Sequence, residues 1–251
     1  MEAVLLVLAA AAGAGGVWWY QSRPRYQLSA GSDWDEDAEV VLHVAQHEAR
    51  TRGQALSSIH ILYGLIQDEV IVETLREAGH DPEAFESCVL DALAKQTPMS
   101  SGITERAQYM FAYALHSSRS AERKASRVDL WAYLKESDAD EVLAAAKVSH
   151  VDILFRLAHG MAPPALDTIT TDVHVVLRND DYTTRDFVCG LLTGTFGYTE
   201  DAAETRMMQV HTEGRGVVKR LSATEARSQI ARARELARSH GFPLWIGAEP
   251  T

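Results

Sequence analysis

Two histidines near the start of the chain are the first residues spaced for chemistry. His43 and His47 lie one helical turn apart, and Glu48 follows directly. Imidazoles at this spacing beside a carboxylate could begin a zinc site of the kind found in helix-borne metalloenzymes. The HExxH order is absent and the sequence offers no evident third ligand, so we expect an ordinary helix surface and no metal.

Other catalytic motifs are missing from the sequence. No GxxxxGK(S/T) loop could hold a triphosphate, and neither a GxSxG turn nor a Cys–His pair indicates a nucleophile. Cys88 and Cys189 lack CxxC spacing, which argues against a structural zinc site and a disulfide framework. We therefore expect a protein that is not an enzyme and uses no cofactor.

A polar cluster in the second half of the chain is the other candidate. Asn179, Asp180 and Asp181 are consecutive, Thr183 follows, and His211 ends a predicted helix further along. Taken alone, such an Asn-Asp cluster is typical of a turn after a strand, and a histidine is favoured at a helix C-terminus. Their meaning depends on the elements that carry them.

Composition limits the class of partner. The chain is 46% hydrophobic and 24% charged, which is ordinary for a globular protein, and its formal net charge is -11. An acidic protein repels phosphate backbones, so we expect no nucleic-acid partner and favour basic or cationic partners.

An uncharged run rich in Leu, Val, Ala and Gly occupies residues 3–20. As a helix it would be about 27 Å long, close to the lower limit for crossing a bilayer. Aromatic residues end the run, and Arg23 and Arg25 follow on what would be the cytoplasmic side. The pattern predicts a single-pass membrane anchor with both following domains cytoplasmic. A cleaved secretory signal and a buried helix are the alternatives.

The segment after this run is predicted to be helical and duplicated. A shift of about 69 residues overlays residues 41–65 on residues 110–134 without a gap. Residues 35–160 are therefore interpreted as a duplicated four-helix unit. In its first copy, helices are predicted at 58–67, 70–78 and 82–94, after a first helix with Asp33 and Glu36 as its capping box.

The duplicated unit resembles the double helical N-domain of Clp ATPases, most closely in the segment AAAKVSHVDILFRLAHG that ends the second copy. In that family the domain is a docking platform for adaptors and substrates. The resemblance implies an all-α domain over residues 33–160, here without an ATPase module after it. A linker with two prolines is predicted over residues 161–170.

Beyond the linker the hydrophobic period changes from that of helices to that of strands. The segments VVLRNDDYTTRDFVCGLL, MMQVHTEGRGVV and GFPLW, in this order and spacing, resemble the ClpS adaptor family over residues 170–247. The resemblance implies a small α/β (α+β) domain over residues 171–251. Its predicted elements are a strand from Val173, helices at 184–196 and 199–211, a strand at 216–221, a helix capped by Ser222 and Glu225, and a strand at 242–246.

In the ClpS family, an Asn-Asp-Asp turn and a histidine hold the α-amino group of a protein N-terminus, while an apolar cavity takes the first side chain. An α-ammonium has three donors, so carboxylate, carbonyl and imidazole acceptors suit it. The resemblance places the polar contacts at Asn179, Asp180, Asp181, Thr183 and His211. It places the cavity at Leu177, Arg185, Val188, Met207, Val210 and Leu244.

Three positions depart from the family. Arg185 stands where a methionine is usual at the cavity mouth, which puts a cation where the ammonium enters and could favour an acidic second residue. Thr224 and Gln229 stand where better-known members have a Glu and a Lys that grip the ATPase N-domain. A fused N-domain replaces the usual flexible tail, and one hypothesis is that it substitutes for the docking step by pairing with the ClpS-like domain in cis.

Together these features predict an anchor and flank over residues 1–27, an all-α Clp N-domain and a ClpS-like domain. The expected function is to recognise N-terminal residues (N-degrons) of substrate proteins and to modulate or deliver them to a Clp ATPase–protease at the membrane. The alternative is a membrane-tethered interaction or inhibitory module of the Clp system that has lost this recognition.

Overall fold

The structure is a computed structural model that describes residues 33–97, 102–135 and 137–251. Its first half is helical and its second half contains a small sheet with three helices. The helices of the first half are α1 (Glu36–Thr51), α2 (Ser58–Leu65), α3 (Glu69–Glu77), α4 (Pro82–Lys95), α5 (Glu105–Ser120), α6 (Arg127–Ala132), α7 (Asp138–Ala145) and α8 (His150–His159). The second half contains β1 (Val173–Arg178), α9 (Arg185–Phe196), α10 (Glu200–Glu213), β2 (Arg215–Leu221), α11 (Ala223–Ser239) and β3 (Trp245–Pro250).

The two copies of the helical domain begin their first helices in the same way. A side-chain oxygen of Asp35 accepts from the Ala38 N–H at the start of α1, and Thr104 accepts from Ala107 at the start of α5. The predicted cap at Asp33 is wrong by two residues, because Asp33 instead forms an ion pair with Arg119.

Extended residues before the helices interlock the two copies. The Asp35 N–H donates to the Ala125 carbonyl over 2.8 Å, and the Thr104 N–H donates to the Leu56 carbonyl over 2.9 Å. Asp35 and Thr104 occupy equivalent positions in the two copies, and so do Leu56 and Ala125. Each copy therefore completes the other through equivalent residues, as the duplication predicts.

The second half has a three-stranded antiparallel sheet in the order β2-β1-β3. Alternate residues of the central strand β1 face opposite sides. Val175 and Leu177 are buried among α9, α10 and α11, whereas Val176 packs with Trp245 and with Phe155 of the helical domain. One face of β1 is thus covered by its own helices, and Val176 on the other face meets the first domain.

Further contacts join the domains around the end of α11. His159 donates from Nε2 to the Pro243 carbonyl over 2.8 Å, and Lys135 Nζ donates to the His240 carbonyl over 3.3 Å. Asp152 forms an ion pair with Arg238. The two domains therefore contact each other in cis, as the hypothesis of pairing requires.

The last strand begins later than predicted. It spans Trp245–Pro250 rather than residues 242–246, because Gly241 has a positive φ of 76° and Pro243 has no N–H to give to a ladder. The Pro243 carbonyl is instead committed to His159. Residues 242–244 thus lead the chain across the helical domain before it joins the sheet.

The prediction of a membrane protein is wrong, because the described helices do not meet the requirements of a membrane span. Within residues 33–97, 102–135 and 137–251, no helix is both long enough and apolar enough to span a bilayer. The longest of them, α11, has 17 residues but carries charged side chains along its exposed face. The predicted anchor itself, residues 3–20, lies outside the described residues.

Candidate functional site

The end of β1 and the end of α10 bring Asn179 and His211 together. The Asn179 N–H donates to the carbonyl of Gly214, the residue with φ +77° that ends α10, over 2.8 Å. One turn earlier on α10, His211 Nδ1 lies 3.2 Å from Asn179 Oδ1. β2 can pass close to this corner because Gly216 has no side chain; a Cβ there would lie 2.8 Å from Val210 Cγ2.

Arg185 contacts the other nitrogen of the His211 ring. Its Nη2 lies 2.9 Å from His211 Nε2, and both side chains are exposed. A guanidinium only donates, so Nε2 is the acceptor and Nδ1–H donates to Asn179. Both nitrogens of the ring are therefore engaged by groups of the same domain.

Asp180 holds the turn that follows β1. Its carboxylate accepts from the N–H groups of Tyr182 and Thr183 over 2.9 and 2.6 Å, and from the Thr183 hydroxyl over 2.8 Å. Burial raises the pKa of this carboxyl, while these hydrogen bonds and His159 oppose the rise. Asp180 and Thr183 were both expected to contact a ligand, but the Thr183 hydroxyl donates to the Asp180 carboxylate instead.

Asp181 points out of the turn toward the helical domain. Its Oδ2 accepts from Arg123 Nε over 2.9 Å, and its side chain is 37% exposed. Asn179 and His211 thus meet at the corner where β1 and α10 end, and Asp181 presents an exposed carboxylate from the adjoining turn.

Asp129, which sequence reasoning missed, joins this turn to the helical domain. Its carboxylate is fully buried and receives two hydrogen bonds from the Arg123 guanidinium, over 2.7 and 2.9 Å. The Tyr182 hydroxyl also donates to it, over 3.3 Å. The hydrogen bonds that Arg123 donates to Asp129 and Asp181, together with the charge of Asp129, raise the pKa of Arg123. The overlay of the two copies in the sequence could have indicated this pair, because it aligns Arg123 and Asp129 with the neutral Gln54 and His60.

The predicted apolar cavity residues are packed together. Leu177, Val188, Met207, Val210 and Leu244 are all buried in the core of the second domain, whereas Arg185 is exposed. Beside them a groove of 520 Å³ runs between α9 and α10, with Arg185, Cys189 and Met207 among its lining residues. Four carboxylates also line this groove: Asp186, Glu200, Asp201 and Glu204.

The two residues of α11 that depart from the pattern of the ClpS family, Thr224 and Gln229, differ in their surroundings. Thr224 is exposed near the start of the helix. Gln229 is half-buried, and its Oε1 is buried without a hydrogen-bond partner in the described part of the chain. Neither side chain carries a charge that could form an ion pair with a partner protein.

The described residues contain no group of three or more His, Cys, Asp or Glu side chains arranged to hold a metal ion. This search includes His43, His47 and Glu48 on α1.

Two segments of the chain match known protein families. Residues 34–146 match the Clp repeat (R) N-terminal domain, and residues 169–247 match the ATP-dependent Clp protease adaptor protein ClpS. The adapter protein ClpS 1 of Rhodopseudomonas palustris is 41% identical over 76 residues, which are 30% of this chain and 74% of the relative. The chain belongs to the ClpS family.

Other ClpS proteins match the same part of the chain. ClpS of Acetivibrio thermocellus is 43% identical over 76 residues, covering 30% of this chain and 77% of the relative. Among solved structures, Agrobacterium tumefaciens ClpS2 bound to L-phenylalaninamide has 35% identity and a TM-score of 0.32, covering 33% of this chain and 99% of that one. In these comparisons the ClpS relatives align with about a third of the chain.

Proposed function

We propose that this protein is a ClpS-type adaptor that binds the N-terminal residues of substrate proteins and modulates or delivers them to a Clp ATPase–protease. Membership of the ClpS family supports the adaptor class. The contact between Asn179 and His211, with Asp181 in the adjoining turn, carries the more specific proposal. These three side chains offer an amide oxygen, a carboxylate and an imidazole, which are the acceptors that an α-ammonium needs.

The strength of such binding follows from its parts. Each charge-assisted hydrogen bond to the ammonium contributes about 1.5 to 3 kcal/mol, less where solvent reaches it. Burial of a Leu or Phe first side chain adds roughly 1.5 to 3 kcal/mol. After the cost of association, the expected dissociation constant is on the order of micromolar.

Binding requires a local rearrangement at His211. Its Nε2 accepts from Arg185, so the guanidinium must move before that nitrogen can accept from a ligand. Arg185 is exposed and lines the groove, so its side chain can move without unfolding the core. The first side chain of the substrate would enter between α9 and α10, near Met207 and the buried cavity residues.

A Clp ATPase partner would have a free surface on α11. The helical domain contacts the end of this helix, at Arg238 and His240. Thr224 lies 14 residues before Arg238, roughly 21 Å along the helix, and is exposed. The cis pairing therefore leaves the beginning of α11 open for a partner to dock.

The experiment is a fluorescence-anisotropy titration of the full chain with peptides that begin with Phe, Leu, Trp or Tyr. Asp181→Ala and His211→Ala are expected to weaken binding at least tenfold, because each loses a charge-assisted bond. His116→Ala, at an exposed histidine of α5, is the matched control and should bind as wild type does. Equal binding by all four proteins would refute the proposed site.

A second candidate function follows from the two arginines. Arg185 engages His211 and Arg123 engages Asp181, so the acceptors are already in contact with cations of the same chain. If these contacts are permanent, the protein is an interaction or inhibitory module of the Clp system without N-terminal recognition. Failure of folded wild-type protein to bind any of the four peptides would favour this candidate.

A further inference from the structure

The turn that contains Asp181 is held from outside its own domain. Arg123 lies between α5 and α6 of the helical domain and reaches Asp181 with its Nε. Its two Nη atoms are bound to Asp129, and Nη1 also donates to the Lys124 carbonyl over 3.1 Å. Four of the five guanidinium N–H groups are thus used, which fixes the plane and direction of the side chain.

Asp129 is itself anchored. Both the N–H and the hydroxyl of Ser126 donate to its Oδ2, over 2.7 and 2.9 Å, in a capping box at the start of α6. The carboxylate has no exposed surface. A buried, fully hydrogen-bonded carboxylate therefore orients the arginine, and the arginine orients Asp181.

The charges of this cluster leave Asp181 able to bind a cation. Arg123 contributes one positive charge, and Asp129 and Asp181 contribute one negative charge each. The arginine is shared with the buried Asp129, so the cluster retains a net negative charge at its exposed end, where Asp181 lies. Arg123 contacts Oδ2 of Asp181, and no hydrogen bond from the described residues engages the other oxygen, to which an ammonium can donate.

We propose that Arg123 is a positioning residue for the N-terminus site, so that the helical domain and the ClpS-like domain build the site together. This inference rests on the proposed function, because it assigns Asp181 to the binding of the α-ammonium. Tyr182 supports the same arrangement, since it precedes Thr183 in the turn, packs against the helical core and donates to Asp129.

The first copy of the helical domain provides a variant that keeps the fold. Gln54, Ser57 and His60 occupy the positions equivalent to Arg123, Ser126 and Asp129. They form a neutral cluster whose side-chain hydrogen bonds, within the described residues, stay in the first copy. The double variant Arg123→Gln, Asp129→His copies this cluster into the second repeat. It removes the guanidinium without leaving a buried charge unpaired.

Titration of the full chain with a Phe-starting peptide gives the first readout. The double variant should bind about five- to tenfold more weakly than wild type, because Asp181 loses its orienting partner. Arg123→Lys should restore part of the affinity, since its ammonium can reach one carboxylate but lacks the fork. Gln54→Ala, the matched control, should bind as wild type does. Unchanged or tighter binding by the double variant would overturn the inference.

Amide hydrogen exchange of residues 179–184 gives a readout that does not require a ligand. Exchange in this turn should be faster in the double variant than in wild type and unchanged in Gln54→Ala. If wild-type protein binds no peptide, the proposed function fails, and the exchange rates alone decide whether Arg123 positions the turn. Equal exchange in wild type and the double variant would contradict that role.

Discussion

The two copies of the helical domain carry equivalent polar clusters with different partners. In the first copy, His60 Nε2 donates to Gln54 over 3.1 Å, and Gln96 at the end of α4 closes the cluster through Ser57. In the second copy, Arg123 and Asp129 replace the neutral pair, and Asp181 and Tyr182 of the ClpS-like domain close it.

The difference teaches how a repeated unit can acquire a second role. A neutral cluster can be completed within its own repeat, because amide and imidazole groups satisfy one another. A buried carboxylate requires a cation, and that cation offers further donors to a neighbour. One copy therefore only stabilises its domain, whereas the other also reaches the candidate site.

Removal of Arg123 should produce the largest effect on stability. Arg123→Ala leaves Asp129 buried without its cation, so the free energy of unfolding should fall by about 3 kcal/mol. Gln54→Ala removes only neutral hydrogen bonds and should cost about 1 to 2 kcal/mol. Urea denaturation of the two variants tests this order. Equal losses would show that charge does not distinguish the copies.

The pH dependence of stability should come partly from the first copy. Burial lowers the pKa of His60 from 6.5 to about 4. The unfolded chain therefore binds a proton more readily, so this stabilisation is complete above pH 6.5 and is lost as pH falls toward 4. His60→Gln keeps a residue that can form the capping box but cannot bind the proton. Between pH 7 and pH 4.5 this variant should therefore lose about 2 kcal/mol less free energy of unfolding than wild type. Denaturation at pH 7 and pH 4.5 measures it, and identical losses in both proteins would contradict the assignment.

Replacement of Arg185 should have the smallest effect and the opposite sign. Arg185 comes from the same domain as His211, is exposed, and is held by no buried carboxylate among its described contacts. Arg185→Met frees His211 Nε2 and should tighten binding of a Phe-starting peptide by about two- to fivefold. Weaker binding by this variant would indicate that Arg185 contacts the substrate instead of competing with it.

Sequence predicted the elements well where local chemistry decides them. The duplication and the Ser222–Glu225 capping box follow from residues whose spacing is visible in the chain, whereas the Asn179–His211 corner was implied by the resemblance to the ClpS family. The contact of Arg123 with Asp181 could not be read locally, since the two residues are 58 positions apart in different domains. The role of Asp180 was likewise hidden, because a turn and a ligand site use the same residue types.

The start of the last strand illustrates the same limit. Phe242 and Leu244 are apolar enough for a strand, but the cis contact at Pro243 takes that backbone for the other domain. Tertiary contact thus overrides the local preference at the point where the two domains meet.

The most direct test of the account is the affinity of the full chain for one Phe-starting peptide with a free amine and for its acetylated form, compared by isothermal titration calorimetry. The account predicts micromolar binding of the free amine and at least tenfold weaker binding of the acetylated peptide. Acetylation removes the ammonium that would donate charge-assisted hydrogen bonds to Asp181 and His211. Equal affinity for the two peptides would contradict recognition of an N-terminus at this corner.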